Sequence, residues 1–76
     1  MPSKSDFLAA YRAALAAAYP WAQDEAQLDR FLASVRDTLT GPCASWHPEG
    51  AAVNAAWRAI GRKGVPSLKS LRALEG

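Results

Sequence analysis

The sequence predicts an all-α protein, a compact bundle of about four short helices in one domain over residues 1–76. Three observations indicate this fold class. Apolar residues recur at helical spacing, breakers containing Pro or Gly separate the segments, and alanine, the best helix former, supplies about a fifth of the chain. So short a chain lies near the lower limit for a self-sufficient core. The large apolar side chains must therefore be well placed, or a partner must cover some of them.

The first predicted helix runs from about Ser5 to Tyr19, and Pro20 ends it. Ser3 and Asp6 fit a capping box in which Asp takes the place of Glu or Gln. The apolar positions are Phe7, Leu8, Tyr11, Leu15 and Tyr19. The segment is too short and too charged to span a bilayer. We interpret it as a cytoplasmic helix rather than a secretory signal.

The second predicted helix, from about Glu25 to Thr40, has the clearest apolar stripe. Asp24 is a good N-cap, and Gly41-Pro42 closes the helix with the glycine at the C-terminal cap. The stripe consists of Leu28, Phe31, Leu32, Val35 and Leu39. Because Phe31 and Leu32 lie mid-stripe, we predict that they are central core residues and that stability rests on this helix.

The third predicted helix extends from near Pro48 to Gly61, since Pro suits the first helical position. Its apolar stripe is Val53, Ala56, Trp57 and Ile60. Residues 62–65 form a tight turn, and a short fourth helix begins at Pro66 or Ser67. This last helix contributes Leu68, Leu71 and Leu74. A helix this short is unstable alone, so these leucines must dock on the rest of the bundle.

The distribution of charge is the most informative functional feature. Residues 1–50 contain four basic and six acidic side chains, whereas residues 51–76 contain five basic and one acidic. The two parts therefore carry net charges of −2 and +4, which together make the +2 of the chain. The five cations are Arg58, Arg62, Lys63, Lys69 and Arg72. A basic segment of this kind is typical of a contact with nucleic acid.

The last two predicted helices and the turn between them look like a helix-turn-helix. In that motif the second helix enters the major groove, and its first residues, here Ser67, Lys69 and Ser70, meet bases. The leading hypothesis is therefore duplex-DNA binding, and tight binding would require a homodimer with two half-sites. The residues assigned to DNA are Arg58, Arg62, Lys63, Lys69 and Arg72. The alternative interpretation is an ordinary helical hairpin whose solvated face carries Lys and Arg.

Three tryptophans are many for so short a chain. Trp57 lies on a helical stripe and is expected in the core. Trp21 and Trp46 lie at breakers, where they either cap the core or contact a partner, because Trp is enriched at interface hot spots. The competing hypothesis is a protein–protein interaction module, such as an inhibitor or assembly factor, that uses Trp21 and Trp46.

The sequence contains few candidate metal ligands or catalytic residues. Cys43 and His47 offer too few ligands for a zinc site, and no orienting group accompanies them as a catalytic pair. The lone cysteine excludes an internal disulfide and fits a reducing compartment. Neither a phosphate-binding glycine loop nor a nucleophile elbow is present in the sequence. We predict a cytoplasmic non-enzyme without metal or cofactor.

The segment Ala56–Leu74 contains Trp, then Ile-Gly, a turn rich in Gly and Lys, Pro-Ser-Leu, and a Leu-x-x-Leu ending. In this order of residue types it resembles the C-termini of small bacteriophage and prophage proteins that have no agreed activity. The resemblance covers about a quarter of the chain. It implies a short accessory protein of a mobile element that binds DNA or a host or phage protein, and it carries over no functional residue.

Overall fold

The computed structural model describes residues 2–41 and 50–76. These ranges contain the α-helices α1 (Lys4–Ala18), α2 (Glu25–Thr40), α3 (Gly50–Ala59) and α4 (Leu68–Arg72), and a short 3-10 helix over Pro20–Gln23. The predicted all-α helical bundle is confirmed. The radius of gyration is 11.5 Å, close to the value of about 11 Å expected for a compact chain of this length.

The predicted caps of the first two helices are present. The hydroxyl of Ser3 accepts a hydrogen bond from the Asp6 N–H at 3.1 Å, and the Asp6 carboxylate accepts one from the Ser3 N–H at 2.9 Å. The carboxylate of Asp24 accepts from the N–H groups of Ala26 and Gln27 at the start of α2. Side chains therefore satisfy N–H groups that have no partner within either helix.

Gly41 occupies the C-terminal cap of α2, as predicted, but its φ of −99° is not left-handed. Glycine is required there by close approach instead. A Cβ at this position would lie 2.7 Å from the carbonyl oxygen of Asp37. That same oxygen accepts the Gly41 N–H at 2.7 Å, so a side chain would break the last turn of α2.

Helix α1 forms the centre of the core. The side chains of Phe7, Tyr11 and Leu15 have no exposed surface. Helix α1 packs most extensively against α3 and also contacts α2 and the 3-10 helix. Ala56 of α3 is fully buried as well, and its small side chain allows the two helices to approach closely. Helix α1 is therefore covered by α2, α3 and the 3-10 helix.

The prediction that Phe31 and Leu32 are central core residues is wrong. Both are only partly buried and pack against the edge of the core. The fully buried members of the same stripe are Leu28, Val35 and Leu39. The stripe of five apolar residues is wider than the face of α2 that packs on the core. Phe31 and Leu32 are in the middle of the stripe along the sequence, but around the helix they lie at its edges.

The two ends of the described chain meet. The backbone N–H of Lys4 donates to the carbonyl of Glu75 at 2.7 Å, and the Lys4 ammonium donates to the carbonyl of Leu74. Leu71 and Leu74 are buried, and Leu68 packs against the core from a partly buried position. The prediction that these leucines dock the last helix is therefore confirmed.

The helix-turn-helix arrangement of the last two helices is not confirmed. Eight residues, 60–67, connect α3 to α4, whereas the motif uses a turn of about 3–4 residues. Helix α4 has five residues and packs against α2. The connection is therefore a loop rather than the tight turn of that motif.

The burial of α1 predicts unequal costs for two identical substitutions. Leu15→Ala should lower the free energy of unfolding by about 3 kcal/mol, because it leaves a cavity in the fully buried centre. Leu32→Ala should cost roughly half as much, because its neighbourhood is partly solvated. Urea unfolding followed by circular dichroism measures both values. Equal costs, or a larger cost for Leu32→Ala, would contradict the assignment of α1 as the core centre.

Candidate nucleic-acid interface

Helix α3 ends in a Schellman motif, two residues before the predicted end at Gly61. The N–H of Arg62 donates to the carbonyl of Trp57 at 3.1 Å, and the N–H of Gly61 donates to the carbonyl of Arg58 at 3.0 Å. Gly61 has a φ of +86°, which is the left-handed conformation that this motif requires and that glycine adopts without strain. The motif fixes the direction in which the chain leaves α3.

Residues 61–66, here called the basic turn, are attached to the core at one point. The indole Nε1 of Trp57 donates to the backbone carbonyl of Lys63 at 3.1 Å, and Trp57 is itself buried. Gly64 is also left-handed, with a φ of +80°. A Cβ on either Gly61 or Gly64 would meet no atom of the described residues within 4 Å.

Four cations lie on or beside the basic turn. Arg58, Lys63 and Lys69 are exposed, and Arg62 is partly buried. None of the four forms an ion pair with a residue in the described ranges, where Arg12 and Asp29 make the single pair, at 2.5 Å. Arg58 lies in the last turn of α3, at the negative end of the helix dipole, which partly favours it there. Lys69 lies likewise in the last turn of α4, whereas Arg62 and Lys63 lie between the two helices and have no such compensation.

The side chain of Arg62 is partly buried, unlike those of the three other cations. Its Nε is buried and has no hydrogen-bond partner among the described residues. A fully solvated guanidinium would keep all of its donors hydrated, and a buried donor without a partner is costly.

Arg72 has a structural role that the sequence interpretation did not anticipate. Its guanidinium donates to the carbonyl of Gly41, the residue that caps α2, and the side chain is partly buried. A cation at the C-terminal end of a helix satisfies a free carbonyl and interacts favourably with the dipole. Arg72 therefore joins α4 to the end of α2.

The serines expected to meet bases are engaged in a helix cap. The Ser67 hydroxyl accepts from the Ser70 N–H at 3.1 Å, and the Ser70 hydroxyl accepts from the Ser67 N–H at 2.8 Å. This capping box starts α4 and occupies both side chains. Of the three residues assigned to base contacts, Lys69 alone keeps its side chain exposed without a described partner.

Val65 is a surface residue that the sequence interpretation missed. It is 81% exposed and is the one exposed large hydrophobic residue in the part of the chain that the structure describes. It follows Gly64 and precedes Pro66 in the basic turn. The signal in the sequence is a β-branched apolar residue inside a Gly- and Pro-containing turn, where side chains are usually polar.

Trp21 lies in an aromatic cluster at the surface. Its ring centroid is 5.3 Å from that of Phe31 and 6.2 Å from that of Tyr19, and all three residues are partly buried. Trp21, Gln27, Arg30 and Phe31 line an open concavity of about 640 Å³. Trp46, like Cys43 and His47, lies outside the described residues.

Within residues 2–41 and 50–76, no three His, Cys, Asp or Glu side chains lie close enough together to hold a metal ion. The helices of these ranges are also too short or too polar to cross a membrane. No protein-family model, curated protein or solved structure matches the chain. The resemblance to phage and prophage proteins therefore stays a prediction.

The contact of Arg72 with Gly41 predicts a loss of stability on truncation. Arg72→Ala should lower the free energy of unfolding by about 1.5 kcal/mol, because a hydrogen bond from a charged donor is lost. Lys69→Ala on the same helix is the matched control and should cost little, since Lys69 is exposed. Chemical unfolding measures both. Equal effects of the two variants would show that Arg72 does not stabilise the fold.

Proposed function

We propose that this protein is a non-enzymatic DNA-binding protein that contacts the phosphates of duplex DNA. One observation supports this proposal above the others. Arg58, Arg62, Lys63 and Lys69 lie within twelve consecutive residues, and none has an ion-pair partner in the described ranges. Arg72 is left out of the contact surface because its guanidinium is engaged at Gly41.

The neighbouring carboxylates do not neutralise this cluster. Asp6 lies near the end of α3, in a shallow surface depression that also involves Ala59 and Gly61. Its carboxylate accepts the Ser3 N–H in the cap of α1 and forms no ion pair with these cations. The acidic residues of the chain otherwise fall mainly in residues 1–50. Residues 58–69 themselves contain four cations and no carboxylate, a composition suited to a polyanion, whose counterions are released as cations replace them.

The distribution of the cations favours contacts to the DNA backbone over base readout by α4. Phosphate contacts need only exposed cations at roughly suitable spacing, whereas base readout needs side chains with free donors and acceptors. The hydroxyls of Ser67 and Ser70 are engaged in the cap of α4. We therefore expect modest affinity that depends strongly on salt and only weakly on the identity of most base pairs.

The salt dependence of binding tests the proposal. With up to four phosphate contacts, a plot of log K against log [salt] should have a slope of about −3.6, from about −0.9 per contact. Lys63→Ala and Lys69→Ala should each weaken binding and make the slope shallower by about 0.9. Fluorescence anisotropy with a labelled duplex, starting near 50 mM salt where electrostatic affinity is strongest, measures these quantities.

The control is Arg30→Ala, which removes the same charge from the first half of α2. It should leave the slope unchanged, because Arg30 lies beside Trp21 and Phe31 rather than on residues 58–69. Equal effects of Arg30→Ala and Lys63→Ala would reduce the interaction to net charge alone. If the wild type does not bind duplex DNA near 50 mM salt, the proposal fails.

A second candidate function is a protein–protein contact at the aromatic surface. It is supported by Trp21 and Phe31, whose partly exposed rings line an open concavity together with Arg30. Trp and Arg are the residues most enriched at interface hot spots. Trp21 remains the residue on which this candidate depends, and failure of the DNA titration would make it the leading one.

A further inference from the structure

The basic turn has a composition that phosphate contacts alone do not explain. Val65 is 81% exposed, and a solvated valine in a turn contributes nothing to an electrostatic contact. Its neighbours are a left-handed glycine, Gly64, and a proline that restricts the backbone, Pro66. The turn therefore presents an exposed apolar side chain, which follows Lys63 by two residues and precedes Lys69 by four in the sequence.

The shape of the turn limits what it can enter. Its backbone is not helical between residues 62 and 67, and no atom of the described residues lies within 4 Å of the Cβ position of Gly61 or Gly64. The major groove of B-DNA is wide enough for an α-helix, whereas the minor groove is only about 6 Å wide and admits narrower elements. A non-helical turn with an exposed Val65 and two glycines, which allow close approach of the backbone, suits the narrower groove.

Charge and chemistry together favour A·T pairs. The minor groove of A·T-rich DNA is narrow and strongly negative, so it attracts Arg and Lys side chains such as those of Arg62 and Lys63. The floor of the groove at a G·C pair carries the guanine 2-amino group, which is a hydrogen-bond donor. The side chain of Val65 has no hydrogen-bond acceptor. At a G·C pair it would therefore bury the guanine 2-amino group without a hydrogen-bond partner.

Resting on the proposed DNA-binding function, we propose that the basic turn inserts into the minor groove of A·T-rich duplex DNA. Val65 contacts the floor of the groove, and Arg62 and Lys63 contact the flanking phosphates. The turn, rather than α4, is then the source of any sequence preference. Trp57 holds the basic turn in position, because its indole N–H donates to the carbonyl of Lys63 and Trp57 is part of the core.

Inosine-containing duplexes test this assignment. Replacing guanine by inosine removes the 2-amino group from the minor groove and leaves the hydrogen-bonding pattern of the major groove as in a G·C pair. The wild type should bind A·T and I·C duplexes equally, and each about tenfold more tightly than a G·C duplex of the same length, because a buried unpaired donor costs about that much. Anisotropy titrations at fixed salt measure the three affinities.

Val65→Thr is the matched variant, since it keeps the shape of the side chain and supplies a hydroxyl that can accept from the guanine amino group. Val65 is exposed, so the substitution should leave the fold intact. The variant should reduce the preference for I·C over G·C to less than about threefold, because the amino group regains a partner. The salt slope, which counts phosphates, should not change.

The outcomes separate this inference from the proposed function. Equal wild-type affinities for I·C and G·C duplexes, with the expected salt slope, would overturn the minor-groove assignment and leave DNA binding in place. An unchanged preference in Val65→Thr would overturn the role of Val65. Binding only to vesicles of anionic lipid, with none to any duplex, would overturn both proposals, because a basic turn with an exposed apolar residue also suits a membrane surface.

Discussion

The packing of α1 against α3 is the contact on which the rest of the structure depends. Tyr11 and Leu15 on α1 and Ala56 on α3 have no exposed surface. Because so small a chain buries few large side chains, this contact accounts for much of the apolar burial that offsets the entropy of folding. It also fixes the position of Trp57, one residue after Ala56. The indole of Trp57 then holds the carbonyl of Lys63, so the basic turn is positioned directly by the core.

The cations of the second half of the chain have two different roles. Arg72 satisfies a carbonyl at the end of α2 and joins two helices. Arg58, Arg62, Lys63 and Lys69 have no ion-pair partner within the described ranges and remain available for an anion. Sequence alone cannot separate the two roles, because each is a basic residue near a helix end. Helices α2 and α4 are far apart in sequence but pack against each other. This packing brings Arg72 to the end of α2 and gives it a structural role.

The local features of the fold could be predicted, and the tertiary ones could not. The caps at Ser3 and Asp24 and the docking of Leu71 and Leu74 depend on residue type and short-range spacing, so the sequence predicts them correctly. The central role of α1 was missed because its alanines weaken its apolar stripe, while α2 has a strong one. Its burial follows from having neighbours on several sides, which periodicity does not report. The exposure of Val65 was missed for the same reason: it depends on where the turn lies.

Native-state hydrogen exchange tests the central claim most directly, since amides that exchange only on global unfolding identify the most stable contact. The slowest amides should be those around Tyr11 and Leu15 in α1 and around Ala56 in α3, with exchange free energies equal to that of global unfolding. Amides near Phe31 in α2 should exchange faster, by partial opening. The slowest exchange in α2, with α1 opening independently of α3, would contradict the claim that the α1–α3 contact holds the bundle and its basic turn in place.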